Sequence, residues 1–165
     1  MGKRKKSHKK EEKTNVMRIL DINGIEYTNY MFDAGKPHSK VDVAEMTGKN
    51  PDTVFKTLVT VSNRNEHFVF VIPINRNLNL KKAARACGEK SIRMIKEKEL
   101  LPLTGYVHGG CSPIGMKKQF PTFIDESVEN LETFLFSAGK RGRQVELKPG
   151  DLKKIIDFKT VDITD

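Results

Sequence analysis

The chain has 165 residues, enough for one domain of ordinary size that buries its own hydrophobic core. Lys and Arg number 30 against 21 Asp and Glu, and the net charge of +9 favours polyanionic partners such as nucleic acid or an anionic membrane surface. No stretch approaches the roughly 18 apolar residues of a membrane-spanning helix, and the basic N-terminus leads into no secretory-signal pattern. Two cysteines are too few for a disulfide scaffold, so we expect free thiols in the cytoplasm.

The positive charge is concentrated at the N-terminus. Residues 1–13 contain seven basic and two acidic residues, a net charge of +5, whereas residues 14–165 carry +4. A charged run without aromatic residues cannot form a core, so we predict a basic disordered tail over 1–13 and a folded domain over 14–165. An electrostatic arm for RNA and a solvated tail without a role are equally consistent with this composition.

Helix and strand patterns alternate beyond the tail. The first half is predicted to begin with a helix capped by Thr14 and ended by Gly24, a strand over 25–32 and a loop over 33–37. A short helix from Ser39 to Gly48, a helical start at 50–52 and a hairpin of strands 58–62 and 67–74 follow. The second half is predicted to begin with a helix over 80–87, capped by Asn79 and ended by Gly88, followed by a strand over 92–94 and a helix over 96–101. A strand over 122–124, a helix after Asp125 over 126–130 and strands over 133–136 and 144–147 come next. A helix over 149–156 and a strand over 161–164 close the chain. This order predicts one mixed α/β domain.

A glycine-rich run over residues 104–115, TGYVHGGCSPIG, is the most unusual segment. Four glycines in twelve residues indicate a backbone that approaches another group closely or adopts positive φ. Its N–H groups could meet a carbonyl or phosphate oxygen, although a plain connecting loop has the same composition. The run has neither of the common glycine patterns for phosphate or dinucleotide binding.

A second glycine segment over 137–143, SAGKRGR, places basic side chains at a turn, where phosphates are easily contacted, although a solvent-facing hairpin is also consistent. Its basic residues are Lys140, Arg141 and Arg143, and further basic pairs are Lys117–Lys118 and Lys81–Lys82.

Lys56 lies in the apolar run VFKTLV at a predicted helix-to-strand junction. Partial desolvation would focus its charge there, although an ordinary lysine whose ammonium reaches water explains the same pattern. Cys111 and His108 are three residues apart and could form a thiolate nucleophile, but no third group is identifiable. The histidines show no metal-ligand spacing, so we expect neither a metal nor a cofactor.

Six segments in this order resemble one family from Lys13 to the C-terminus. They are KTNVMRILD, NPDTVFKTLV, LNLKKAARACG, TGYVHGGCSPIGMKKQFPTFID, FSAGKRG and VELKPGDLKKI. The family is the YbaK/EbsC group of aminoacyl-tRNA deacylases, relatives of the editing domain of bacterial prolyl-tRNA synthetases. The resemblance implies a single compact α+β domain with a curved, mostly antiparallel mixed sheet flanked by helices.

The resemblance also implies an activity, hydrolysis of the ester between a wrong amino acid and the 3′-terminal adenosine of tRNA, typically cysteine on the proline tRNA. In cysteine-specific relatives the thiol of the substrate is thought to attack its own carbonyl and leave a cyclic thiolactone, so that no protein nucleophile is needed. Lys56 matches the near-invariant lysine of the family, Thr57 matches its usual neighbour, and the residues that match the glycine loop at the substrate pocket are Gly109, Gly110, Ser112, Pro113 and Gly115.

The implied partner is tRNA, with prolyl-tRNA synthetase as a further candidate. The phosphates of the acceptor end would then lie against Lys117, Lys118, Lys140, Arg141 and Arg143.

Two positions depart from the family pattern. Ser39 stands where cysteine-specific relatives carry an aromatic residue, and Gln144 stands where they often have Asp. Both positions lie near the pocket in relatives, so we include them in the substrate site and leave the amino-acid specificity open. Two alternatives remain: a non-catalytic tRNA-binding or synthetase-associated module, and a hydrolase that uses Cys111 and His108.

Overall fold

The computed structural model describes residues 12–165, and residues 1–11 of the predicted tail lie outside it. In chain order the helices are α1 (Asn15–Ile22), α2 (Val43–Thr47), α3 (Leu80–Cys87), α4 (Glu97–Thr104) and α5 (Pro149–Leu152). The strands are β1 (Thr28–Met31), β2 (Phe55–Ser62), β3 (His67–Pro73), β4 (Ile92–Met94), β5 (Thr122–Asp125), β6 (Phe134–Ser137), β7 (Arg143–Leu147) and β8 (Lys159–Val161). Two short 3₁₀ helices span Pro51–Thr53 and Glu126–Asn130. None of the helices within residues 12–165 is long and apolar enough to cross a membrane.

The strands form two hydrogen-bonded sheets. One has the order β1-β7-β6 and the other β4-β2-β3-β5-β8. The pairs β3–β5 and β5–β8 are parallel, and the other four pairs are antiparallel. A single parallel bridge between Val54 and Leu135 joins the two sheets. The predicted mixed, mostly antiparallel α+β architecture is therefore confirmed, with its strands divided between two sheets.

The predicted caps of α1 and α3 are confirmed, and the predicted cap of α2 is wrong. The Thr14 hydroxyl accepts a hydrogen bond from the Met17 N–H at 3.2 Å, which fixes the start of α1. Asn79 similarly accepts bonds from the first turn of α3. Helix α2 begins after Asp42, whose carboxylate accepts the capping bond. Ser39 lies earlier, in a loop where its hydroxyl donates to backbone carbonyls instead.

Two predicted helix ends are also wrong. Helix α4 continues through Pro102 to Thr104, because Pro102 is on the solvent-exposed side, where water can satisfy the carbonyl that the missing N–H leaves free. Helix α5 ends at Leu152, four residues before the predicted end. The closing strand then falls earlier than predicted, over Lys159–Val161.

Strand β2 separates two hydrophobic cores. Phe55 and Val59 point into the main core, which lies between the two sheets and the buried face of α1. Leu58, on the opposite face of β2, packs against the second core, which α3 covers. Apolar side chains on both faces of β2 are packed into a core, so the strand is a rigid support. Lys56 and Thr57, the polar residues between Phe55 and Leu58, are held by this strand.

The last two residues of the predicted tail contact the domain. Lys13 forms an ion pair with Asp21 of α1, and the Glu12 carbonyl accepts hydrogen bonds of 3.3 and 3.4 Å from the Arg143 guanidinium. Residues 12 and 13, assigned to the tail from charge composition, are thus in contact with α1 and β7.

Gly142 provides a test of the packing between the β6–β7 turn and the segment after β1. Its φ is +81°, and a Cβ there would lie 2.4 Å from the Phe32 carbonyl oxygen. We expect Gly142→Ala to lower the free energy of unfolding by about 2–4 kcal/mol, measured by urea denaturation, because it combines a left-handed backbone with overpacking. Gly150→Ala is the matched control, since a Cβ there meets nothing within 4 Å. Equal stability of the two variants would contradict the close approach.

Candidate active site

Two adjoining cavities lie beside β2, α4 and the first glycine-rich run. The β2 cavity has a volume of about 270 Å³ and the loop cavity about 490 Å³. Apolar side chains line most of the β2 cavity: Val43, Val54, Phe55, Leu58, Val59, Ile74, Met94, Ile95 and Leu100. Its other lining residues are Lys56, Thr57, Glu97, His108, Gly109, Cys111, Ser137 and Gln144. The loop cavity shares Val43, Glu97, His108, Gly109 and Gln144 with it and extends to residues 32–41.

The outer edge of β2 is unpaired where the strand borders the β2 cavity. Before this stretch, Val54 forms the bridge to Leu135 of the other sheet. After it, pairing with β4 begins only at Thr60, opposite Met94. Thr57 therefore lies in a gap between two partners of the same strand edge.

The register shows which backbone groups face this gap. The Ser62 N–H donates to the Glu66 carbonyl at 2.8 Å, so the even-numbered residues of β2 turn their backbone groups towards β3. The Val59 carbonyl accepts from the Ile95 N–H at 3.3 Å, so the odd-numbered residues face the outer edge. The N–H and C=O of Thr57 consequently point to the unpaired edge, beside the cavity.

Lys56 is the second residue of β2 and lines the β2 cavity. Its side chain is partly buried, and burial lowers the pKa of its ammonium group. Within residues 12–165 the ammonium has neither a hydrogen-bond partner nor an ion-pair partner. A cation that is partly desolvated and unpaired interacts strongly with an oxygen that brings negative charge to it.

Two buried oxygen atoms at the cavities also lack partners in the described part of the chain. They are Thr57 Oγ1 and Gln144 Oε1. Gln144 is 6% exposed, on β7, and lines both cavities. A buried polar atom without a partner costs about 1–3 kcal/mol, and such a cost is understandable where a ligand supplies the missing hydrogen bond. Both residues line the β2 cavity together with Lys56.

The two glycine-rich segments predicted separately pack against each other. A Cβ on Gly110 would lie 3.2 Å from the Arg141 backbone nitrogen and 3.3 Å from the Lys140 carbonyl carbon. Gly109 has φ +88°, and a Cβ there would lie 3.1 Å from Arg141 Nε. Only glycines allow the first run to approach the second this closely, and the approach places Gly109 at both cavities.

The other predicted loop residues lie behind the cavity wall. Ser112 and Pro113 are buried, and the Ser112 hydroxyl accepts from the Ile114 N–H at 3.4 Å. Gly115 packs under Tyr106, whose hydroxyl donates to the Ile114 carbonyl at 2.5 Å. Burial raises the pKa of Tyr106 to about 12, so this donor remains protonated. Like Gly110, these residues shape the loop without lining either cavity.

Arg141 holds the loop over residues 33–41 in place. Its guanidinium donates to the carbonyl of Ala34 at 2.9 Å, of Lys36 at 3.0 Å and of Ser39 at 3.2 Å. Ser39 lines the loop cavity as a result. The N–H groups of Arg141, which we predicted from composition to contact phosphates, thus donate to protein carbonyls instead.

The remaining predicted basic residues divide by exposure. Lys117, Lys118 and Lys140 are exposed beside the two glycine segments. Arg143 is only 7% exposed, and its guanidinium lies against the Glu12 carbonyl and the Met17 sulfur. Burial leaves Arg143 little surface for a phosphate.

Glu97 and His38 are site residues that sequence reasoning missed. Glu97, the first residue of α4, lines both cavities, and its Oε2 lies 2.5 Å from Nε2 of His38, across the entrance to the loop cavity. His108 lines both cavities beside them. No local pattern could have revealed the pair, because 59 positions separate its members.

The Cys111 thiol lines the β2 cavity but is poorly suited to nucleophilic attack. Burial raises its pKa to about 12, so the thiol is protonated at neutral pH. This does not favour the Cys–His hydrolase alternative. Within residues 12–165, no group of three or more His, Cys, Asp or Glu side chains could hold a metal ion.

Comparison with known families identifies this arrangement. The family described as the aminoacyl-tRNA editing domain matches residues 16–155. The chain belongs to this family, and the predicted resemblance is confirmed.

Within the family, the chain is 44% identical over 157 residues to an Enterococcus faecalis protein named as the Cys-tRNA(Pro)/Cys-tRNA(Cys) deacylase EbsC, with 94% of this chain and 96% of that protein covered. It is 29% identical over 119 residues to the proline–tRNA ligase of Shouchella clausii, with 72% of this chain and 21% of the ligase covered. A crystal structure described as a trans-editing enzyme for prolyl-tRNA synthetase has the same fold, with a TM-score of 0.76, 20% identity, and 93% and 99% of the two chains covered.

Lys56 provides a test of the desolvation at the site. The folded state lowers the pKa of its ammonium, so the charged form opposes folding at neutral pH. We expect Lys56→Met to raise the free energy of unfolding at pH 7 by about 1 kcal/mol, measured by urea denaturation. The gain should shrink towards pH 10, because the folded wild type loses its proton before the unfolded chain does.

Lys98→Met is the matched control for this substitution, because Lys98 is exposed on α4. We expect it to change the stability by less than about 0.5 kcal/mol. A loss of stability in Lys56→Met at pH 7 would contradict the prediction that the buried ammonium opposes folding.

Proposed function

We propose that this protein is a trans-editing aminoacyl-tRNA deacylase that removes a mischarged amino acid, with cysteine on tRNA(Pro) as the favoured substrate. The observation that carries the proposal is the unpaired ammonium of Lys56 beside the open edge of β2, in a chain of the aminoacyl-tRNA editing family. The named deacylase of E. faecalis, aligned over 96% of its length, supports the same reaction.

The small volume and the apolar wall of the β2 cavity support binding of a small amino-acid side chain. Its apolar wall favours a thiol over a more polar hydroxyl of similar size, because burying an unpaired hydroxyl costs free energy. Thr57 and Gln144 line the same cavity and place polar groups beside the ribose hydroxyl or the amino group of the proposed substrate. The loop cavity, with Ser39 on its wall, provides the adjoining space for the terminal nucleotide.

The proposed reaction uses the nucleophile that the substrate brings. The cysteinyl sulfur attacks the ester carbonyl, a C–S bond forms, and the C–O bond to the ribose breaks. The thiol proton passes to the departing ribose oxygen, and the resulting thiolactone is then hydrolysed by water. Holding the sulfur close to the carbonyl supplies a high effective concentration. Lys56 and the Thr57 N–H stabilise the negative charge that develops on the carbonyl oxygen.

The exposed lysines support binding of the acceptor end of tRNA. Lys117, Lys118 and Lys140 lie beside the two glycine segments that border the cavities. Their ammonium groups can contact phosphates without reading sequence. The proposal makes aminoacyl-tRNA the partner, with prolyl-tRNA synthetase as a second partner, and places the activity in the cytoplasm, where aminoacyl-tRNA is used.

Removal of the Lys56 ammonium tests the proposed chemistry. We expect Lys56→Ala to slow release of cysteine from Cys-tRNA(Pro) by about 10²–10³-fold, because an oxyanion would lose its charged donor. Release is measured with the wild type and the variant on tRNA charged with Cys, Ala, Ser and Pro. Lys98→Ala is the matched control and should retain the wild-type rate.

Each outcome of this experiment is decisive. Equal rates for wild type and Lys56→Ala would show that the lysine does not stabilise the transition state. No release from any charged tRNA by the wild type would remove the deacylase proposal and leave a tRNA-binding module.

The exposed lysine pair provides a separate test of tRNA binding. We expect the double variant Lys117→Ala/Lys118→Ala to raise KM about tenfold at low salt with little change in kcat, because phosphate contacts would be lost away from the reacting ester. The dependence of kcat/KM on salt should weaken by one to two in log–log slope. The control Lys81→Ala/Lys90→Ala removes two exposed lysines outside both cavities, and an equal effect there would show that only net charge matters.

A further inference from the structure

The charge distribution around the two cavities contains one anion. Among the described residues, Glu97 supplies the only carboxylate that lines either cavity. Its charged neighbours on the walls are cations, Lys56 in the β2 cavity and Lys40 and Arg141 in the loop cavity. A carboxylate repels the phosphates of an incoming tRNA but attracts a positively charged group of a ligand that enters between the two cavities.

The Glu97 carboxylate is ionised and has one oxygen available. The hydrogen bond from His38 lowers the pKa of Glu97, which keeps the group charged near neutral pH. His38 contacts Oε2, and Oε1 accepts no hydrogen bond from any residue that the structure describes. The side chain is 52% exposed, so an incoming group can reach this oxygen.

The substrate of the proposed reaction carries one cation of its own. A free α-amino group has a pKa of about 7.7–8.0, so much of it is an ammonium group at neutral pH. In an aminoacyl ester it is attached to the carbon next to the carbonyl. Lys56 and Glu97 line the same cavity. The lysine matches the electron-rich carbonyl of such a ligand, and the carboxylate matches the adjacent ammonium group.

We propose that Glu97 binds the α-ammonium group of the aminoacyl ester and is a specificity-determining residue of this site. This inference rests on the proposed deacylase function. With the ammonium held at Oε1, the ester carbonyl is directed to Lys56 and to the open edge at Thr57. Esters without a free, charged amino group lose this contact and are disfavoured. Hydrogen bonds between charged groups are the strong ones, so the contact contributes substantially to recognition.

The test compares two esters that differ only at the α position. The first is cysteinyl-tRNA, and the second is its α-hydroxy analogue on the same tRNA, in which a neutral hydroxyl replaces the ammonium at nearly the same size. We expect the wild type to cleave the amino ester at least about tenfold faster in kcat/KM at pH 7. In Glu97→Gln, which keeps the shape and removes the charge, the ratio of the two rates should fall to near one. In Glu97→Lys the ratio should fall below one.

The controls separate recognition from a structural role. Glu66→Gln removes an exposed carboxylate from the β2–β3 turn and should keep the wild-type ratio. If Glu97 only anchors the loop through His38, His38→Ala and Glu97→Gln will slow both esters equally and leave the ratio unchanged, which overturns the inference. A wild type that cleaves both esters equally overturns it too. A wild type that cleaves neither ester overturns the deacylase function itself.

Discussion

The guanidinium of Arg141 is the interaction on which the shape of the site depends. It donates to carbonyls of Ala34, Lys36 and Ser39, which lie more than 100 positions earlier in the chain. The backbone of the same residue contacts Gly110. One arginine therefore connects the loop over residues 33–41, the β6–β7 turn and the first glycine-rich run. These three segments make up much of the wall of the loop cavity. Pairing of β1 with β7 brings the first two together, and Arg141 adds the contact with the third.

Strand β2, which borders the β2 cavity, is held in place by hydrophobic packing and strand pairing. Strand β2 is fixed on both faces by hydrophobic cores and along one edge by β3, yet its other edge is left open at Thr57. An open edge and the buried Thr57 Oγ1, which has no partner in the described part of the chain, cost stability. Under the proposed function, part of this cost in stability is recovered only when a ligand binds.

The sequence predicted local features better than their assembly. The caps at Thr14 and Asn79 act within one helical turn, so residue type was sufficient to place them. The start of α2 was misplaced because Asp42 caps the helix, while Ser39 is held in the preceding loop by hydrogen bonds from Arg141, a tertiary contact that residue type does not reveal. Composition found both glycine segments but not their mutual packing. It also assigned Arg143 to phosphates, because charge does not reveal that a side chain is buried, and it gave no sign of the contact between His38 and Glu97.

The burial of Cys111 has a consequence for the durability of the proposed enzyme. A thiolactone is an electrophile, and each turnover would release one inside a cavity whose wall contains this thiol. Burial raises the pKa of Cys111 to about 12, so the thiol is protonated at neutral pH. Because the thiolate is the reactive form, protonation slows acylation of this wall residue by the product. The burial that makes Cys111 a poor nucleophile would thereby also protect the proposed site from its own product.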